Sequence, residues 1–215
     1  MAKARPAVLT ALLSGAAVVG YVSYRLFIGV GPEAPDAAPV ALELGESPNE
    51  EADAPPQQLA ERLPEFSLDN LAGAPQSITS WPGKPLLINF WATWCGPCLR
   101  EIPMLKELQA RRSDLQVVGI AVDKRDPVVA FAANMQFNYP ILIGESGAWD
   151  AAAAFGVNVY ALPFTVFTAP DGSVLGVHTG EIHAEHLDNL TAVLDDLKAG
   201  KIDLATARAR IAGRI

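Results

Sequence analysis

Two patterns of apolar residues divide this chain. Residues 7–30 are almost wholly apolar, broken only by small or weakly polar residues and by Arg25. From Leu63 onward, short runs of strand type alternate with longer stretches of helical period. Residues 85–91, with Leu86, Leu87, Ile88 and Phe90, read as a buried strand. A helix is expected next, over about 95–112, with Ile102, Leu105 and Leu108 on its inner face. A strand at 115–122, a helix at 127–135 with Pro127 in its first turn, a short strand at 140–143 and a helix at 148–155 follow. Strand 164–168, the turn signal Asp171-Gly172 and strand 173–179 form a hairpin, and a helix over 184–198 closes the pattern. This order predicts an α/β fold: a mixed sheet flanked by helices, its first half parallel with right-handed crossovers and its second half antiparallel.

The apolar stretch near the start has the length of a membrane anchor. About 18 apolar residues precede Arg25, close to the ~20 that cross a hydrocarbon core. Lys3 and Arg5 hold the first end in the cytoplasm, while Arg25 snorkels at the far interface beside Tyr21 and Tyr24. A cleaved signal peptide is the competing reading, but its small-x-small site, Ser14-Gly15-Ala16, falls in the middle of the run. The expected organisation is an N-terminal transmembrane helix over 1–30, a linker over 31–62, one domain over 63–199 and a tail over 200–215. Pro32, Pro35, Pro39, Pro48, Pro55 and Pro56 make the linker an extended tether, with room for a short helix at 57–62.

Charge sharpens that division. The formal net charge is −8, and Glu33, Asp36, Glu43, Glu46, Glu50, Glu51, Asp53 and Glu61 all lie in the linker. The domain itself is only mildly acidic. Nucleic acid is not an expected partner, because such a surface offers phosphates no cationic track.

The chain holds two cysteines, Cys95 and Cys98, too few and too close to staple a scaffold or to form a four-ligand zinc site. Their place between a buried strand and a helix points to reactivity. Unpaired N–H groups and the dipole at the helix start favour a thiolate on Cys95, the expected nucleophile. Cys98, one turn on, is placed to close a disulfide and to resolve a mixed one. Between them, Gly96 lets a substrate backbone approach, and Pro97 fits the first turn without losing a needed hydrogen bond. Glu101, three residues after Cys98, can exchange a proton with that thiol if it is buried; as a solvated glutamate it would do nothing.

Residues 89–103, reading Asn89-Phe90-Trp91-Ala92-Thr93-Trp94-Cys95-Gly96-Pro97-Cys98-Leu99-Arg100-Glu101-Ile102-Pro103, resemble the active-site block of the thioredoxin superfamily. Glu101 and Pro103 resemble in particular the TlpA/ResA branch of membrane-anchored thiol:disulfide oxidoreductases. The resemblance spans about 63–198 and implies a thioredoxin-like fold. It also implies Trp94, Leu162 and Pro163 as substrate-binding residues, with Leu162-Pro163 matching the family's cis-proline. Where thioredoxin has an aspartate in the strand before the motif, this chain has Asn89, which cannot ionise and leaves proton transfer to Glu101 or water.

The implied function is an extracytoplasmic reductase of protein disulfides at a bacterial inner membrane. Clients in cytochrome c or oxidase copper-site maturation, and a membrane electron donor of the DsbD/CcdA type, follow from the same resemblance. No cofactor is expected beyond the redox-active disulfide Cys95–Cys98, and no metal. The alternative is a metal or haem-pathway chaperone that uses the same cysteines to bind. The peroxiredoxin pattern Pro-x-x-x-Thr-x-x-Cys is absent. His178, His183 and His186, all the histidines of the chain, read as solvated. The tail, with Asp203 as a candidate N-cap and with Arg208, Arg210 and Arg214, reads as a frayed helix.

Overall fold

Strand β3 (Leu86–Trp91) runs through the middle of the domain with all six residues buried. Its alternating side chains feed two apolar clusters, one on each face of the sheet. Leu87 and Trp91 join the cluster built with Ile102, Leu105, Leu108, Leu187 and Leu190, whereas Leu86, Ile88 and Phe90 join the one built with Ala148, Ala151, Ala152 and Phe155. The computed structural model describes residues 58–157 and 161–214. Residues 1–57, with the expected anchor and nearly all of the acidic linker, lie outside them. Among the described residues no helix is long and apolar enough to cross a membrane.

In chain order the elements are β1 (Ser67–Asn70), β2 (Pro75–Ser77), β3, α1 (Gly96–Arg111), β4 (Gln116–Ala121), α2 (Arg125–Met135), β5 (Ile141–Ile143), α3 (Ser146–Ala154), β6 (Phe164–Thr168), β7 (Val174–Thr179), α4 (Ala184–Lys198) and α5 (Leu204–Arg214). The sheet order is β2-β1-β5-β4-β3-β6-β7. Strands β3, β4 and β5 are parallel neighbours, while β6 and β7 run antiparallel beside β3. This is the expected mixed sheet with helices on both faces. The hairpin β1–β2 was not anticipated: its residues are mostly polar and at most half-buried, and antiparallel pairing with β5 is what makes β1 part of the sheet.

Two expected boundaries need correction. Residues 58–62 belong to the domain and form no helix. The Ala60 N–H donates to the Phe155 carbonyl, Val174 N–H to Glu61 O, and Leu63 N–H to Gly172 O. A side chain at Gly156, whose φ is +78°, would bring a β-carbon within 2.3 Å of the Gln58 carbonyl oxygen, so this contact requires glycine twice over. At the other end, the expected frayed tail is a packed helix. Asp203 Oδ1 caps α5 by accepting from Thr206 N–H at 2.8 Å. Ala207 and Ile211 are buried in the same cluster as the cysteines. Arg208 donates to the carbonyls of Val174 and Glu61, tying α5 to β7 and to the incoming chain.

The anchoring residue is Ile211, 2% exposed and seated against Gly176 of β7, where a β-carbon would lie 2.7 Å from Ile211 Cγ2. Ile211→Ala is expected to lower stability by about 2–4 kcal/mol through lost burial and the cavity left behind. Urea midpoints measure it. A change under about 0.5 kcal/mol would mean that α5 contributes nothing to the core.

Candidate active site

The loop from β3 into α1 is held from both sides. Trp91 O accepts from Val122 N–H, and Cys95 N–H closes a turn on Ala92 O. Just ahead of the motif, Thr93 donates through its N–H and its hydroxyl to one oxygen of Asp123, which follows β4. Cys95 is the N-cap of α1, and its Sγ accepts from Cys98 N–H at 3.3 Å. The sulfur thus occupies the place where a capping oxygen would sit, so negative charge on it would meet orphan N–H groups and the positive end of the helix.

Cys95 and Cys98 form a disulfide, with Cα atoms 5.3 Å apart. Their accessibility differs: Cys95 keeps 6% of its surface exposed and Cys98 none. A partner can reach only the first sulfur. Trp94 stands beside it 69% exposed, the most open large apolar side chain among the described residues. A β-carbon at Gly96 would meet nothing closer than 3.9 Å, so this glycine leaves the approach to Cys95 bare rather than relieving a clash. Pro97 lies at the second helical position, where a missing N–H costs no intrahelical bond.

Glu101 is buried, at 1% exposure, which removes the solvated reading. The inner face of α1 carries Cys98, Glu101, Ile102, Leu105 and Leu108, so the carboxyl occupies a core position one turn after the second cysteine. Its Oε1 accepts from Asn89 Nδ2 at 2.7 Å and its Oε2 from Ile182 N–H at 2.8 Å. Burial raises its pKa to about 7. Those two hydrogen bonds pull the other way, and the charge of Glu181 adds to the rise. Tyr139, also buried, is pushed up by desolvation and then by Glu101.

Asn89 and Thr165 are directly opposed in the β3–β6 register, on the sheet face that α1 covers. Asn89 Nδ2 also donates to Thr165 Oγ1 at 3.1 Å. The peptide Leu162-Pro163 is cis, as the resemblance implies. Leu162 packs against the cluster that contains both cysteines, and Pro163, buried, accepts from Gly180 N–H through its carbonyl.

The histidines are less solvated than expected. His183 is exposed and its N–H donates to His186 Nδ1 at the start of α4, whereas His178 and His186 are half-buried with ring centres 4.4 Å apart. Burial, then the neighbouring His178, lowers the pKa of His186. Among the described residues no group of three or more His, Cys, Asp or Glu is arranged to hold a metal.

Several site residues escaped the sequence reading. Thr165 comes from β6 and Asp123 from the segment just after β4, and only the packing of the sheet brings them to the motif. The Ile182 N–H comes from the segment before α4, where Glu181 pairs with Arg100 of α1. No spacing rule marks such a backbone donor.

Proton linkage follows from Glu101. Folded, it holds its proton up to about pH 7; unfolded, it releases it near pH 4.3. Between those values the folded state binds more protons, so stability falls as pH rises, by roughly 4 kcal/mol in all. Below the unfolded value this penalty vanishes; above about pH 7 it is complete. Glu101→Gln is expected to abolish this slope, read from urea midpoints at about pH 4.5 and pH 8. Equal slopes in both proteins would contradict the assignment.

This geometry has counterparts. Residues 58–194 match the Redoxin family. Thioredoxin-like protein YneN of Bacillus subtilis (strain 168) is 33% identical over 136 residues, 61% of this chain and 77% of that protein. Thiol-disulfide oxidoreductase ResA of Geobacillus thermodenitrificans (strain NG80-2) is 33% identical over 134 residues, 59% of this chain and 75% of its own. Among solved structures, one described as a thiol:disulfide interchange protein DsbE, from Chlorobium tepidum, has a TM-score of 0.55 at 26% identity, covering 61% of this chain and 93% of that one. The structure of MTB dsbF in mixed oxidised and reduced forms has a TM-score of 0.53 at 26% identity, covering 66% and 98%. With a Cys-x-x-Cys disulfide at the start of a helix on this sheet, the chain belongs to the Redoxin family, as a TlpA/ResA-like disulfide oxidoreductase of the thioredoxin superfamily.

Proposed function

We propose that this chain is a membrane-anchored, extracytoplasmic reductase of protein disulfides. The observation that carries the reading is the asymmetry of the pair: Cys95, which keeps 6% exposure, caps α1, while Cys98, with none, is sealed one turn before a buried carboxyl. In the reduced protein, the Cys95 thiolate attacks a client disulfide and expels the first client sulfur as a thiolate, which takes a proton from water. Cys98 then passes its proton to the Glu101 carboxylate and attacks Cys95 Sγ, expelling the second client sulfur as a thiolate, which takes a proton from water while Glu101 releases its own to solvent. The client gains two electrons and two protons, and Cys95–Cys98 is left as the disulfide of this structure. A carboxyl with a pKa of about 7 suits that transfer, since it takes and returns a proton at little cost near neutrality.

Trp94 offers an exposed apolar platform beside Cys95, and the cis peptide Leu162-Pro163, just ahead of β6, offers backbone against which a client strand can lie. The apolar run over 7–30, with Lys3 and Arg5 before it, supports a single anchor in a bacterial inner membrane with the domain outside. The acidic, proline-rich linker limits the reach of the site to clients near that surface. Re-reduction would then come from a membrane donor of the DsbD/CcdA type. Cytochrome c or oxidase copper-site maturation supplies fitting clients, since both need cysteines kept reduced outside the cytoplasm.

Cys98→Ala in membranes is expected to accumulate mixed disulfides through Cys95, identifiable by mass spectrometry, and Cys95→Ser to accumulate none. Capture of no protein by Cys95 would end the reductase reading. The potential of the pair is expected below about −150 mV; a higher value would make it an oxidase. Glu101→Gln is expected to flatten the pH dependence of disulfide exchange near pH 7. An unchanged profile would remove Glu101 from proton transfer.

A further inference from the structure

One polar atom beside this site has no partner. Asn89 is 1% exposed, and while its Nδ2 donates to both Glu101 and Thr165, its Oδ1 is buried without a hydrogen bond. A buried acceptor left unmade is costly, and nothing in the apolar packing of β3 calls for an amide at this position. Leucine has nearly the same shape and would leave nothing unpaired. The amide needs a reason, and the state drawn by these contacts supplies half of one: with Glu101 ionised, Oε1 is a pure acceptor and Nδ2 is its donor.

The other half comes from the protonated acid. Oε2 is already committed to the Ile182 N–H, so the proton belongs on Oε1, where it points at Asn89 Nδ2, and two donors face each other. A half-turn of the amide about its last side-chain bond removes the conflict. Oδ1 then accepts from the Glu101 hydroxyl, and the Thr165 hydroxyl, which accepted from Nδ2, reverses and donates to Oδ1. A hydroxyl can do this because it is both donor and acceptor. Each state keeps both contacts and leaves one amide atom idle, so the idle atom is the mark of a group built to serve two states.

We propose that Asn89 is a positioning residue whose side-chain amide turns over with the protonation of Glu101, donating to the carboxylate and accepting from the acid, with Thr165 as its reversible partner. The consequence for chemistry is a carboxyl that is hydrogen-bonded in both forms, so a proton arriving from Cys98 need not break a fixed donor contact. An aspartate at this place would add a second charge to the cavity. The amide offers the same two lone-pair and donor positions with no charge of its own. The other titratable or charged groups around Glu101 are Cys98 on its own helix, Tyr139 ahead of β5, and Glu181 with its partner Arg100. Tyr139 stays neutral across the range concerned, its pKa being raised by burial. Glu181 is ion-paired and stays charged, its pKa being lowered by Arg100. Glu101 is therefore the group whose change Asn89 can follow in the oxidised protein.

The inference rests on Glu101 as the proton carrier of the site, and the test separates the two. In the oxidised domain carrying isotope labels, the Glu101 side-chain carboxyl carbon reports its titration and the Asn89 side-chain amide protons report their neighbours. Amide-to-Thr165-methyl cross-peaks are expected to be strong above the Glu101 titration, to fade below it, and to follow the same midpoint. In Glu101→Gln they are expected to be independent of pH. For Asn89→Leu the Glu101 midpoint is expected to move by less than about half a unit, because acid and carboxylate each lose one contact of similar worth.

Cross-peaks that persist through the titration, or an Asn89→Leu midpoint raised by about one unit or more, would show a fixed donor and overturn the turning amide while leaving Glu101 as carrier. Turning amide signals together with an unchanged exchange profile in Glu101→Gln would uphold the amide and remove the carrier. A Glu101 carbon that titrates below about pH 5 would overturn both. Thr165→Ser is expected to retain the carbon midpoint of the parent, and Thr165→Val to move it by less than about half a unit, because each state again loses one contact of similar worth.

Discussion

Three parts of this fold meet on one carboxyl group. Glu101 belongs to α1, its Oε1 is held by Asn89 from the central strand, and its Oε2 by the Ile182 N–H from the segment leading into α4. A charged group in so dry a place would be expelled if it were alone. Two donors and a raised pKa let it stay, and staying fixes where the first turns of α1 lie over the sheet. The redox pair opens that same helix, so the constraint that seats Glu101 also seats Cys95 and Cys98.

The second cysteine is sealed by the same packing. Cys98, Glu101, Ile102, Leu105 and Leu108 form one stripe, and Leu187 and Leu190 of α4 close over the cluster that contains them. Cys95 keeps its small exposed surface because it caps the helix instead of lying on its inner face. Accessibility and reactivity are therefore two results of one geometric fact, the position of a sulfur at the cap or at the third place of a helix. The loop before it is kept in place by Asp123 from the neighbouring strand end, so the site is built on rigid elements on every side.

Much of this was open to inference from the chain alone. The strands at 86–91 and 164–168 and the helices at 96–111 and 184–198 follow from runs and periods that the core then uses. Glu101 already lay in the stripe Cys98, Glu101, Ile102, Leu105, so its burial was foreshadowed by helical spacing. The errors have physical causes as well. The β1–β2 hairpin has little apolar alternation because it sits at the sheet edge, at most half-buried. Helix α5 looked frayed because its buried residues are few, and it owes its place to Ile211 fitting over Gly176 and to Arg208 reaching two carbonyls.

Sequence by itself determined the reactive pair, its helix and the alternation of strand and helix that makes the fold, because these depend on residues near one another along the chain. Tertiary structure alone decided which contacts surround the pair. Asn89 meets Thr165 across 76 positions, and Glu101 meets Ile182 across 81. Those pairings depend on strand register and on the angle at which a helix lies over a sheet. Neither is written in any local spacing, since each is settled by how the whole core closes.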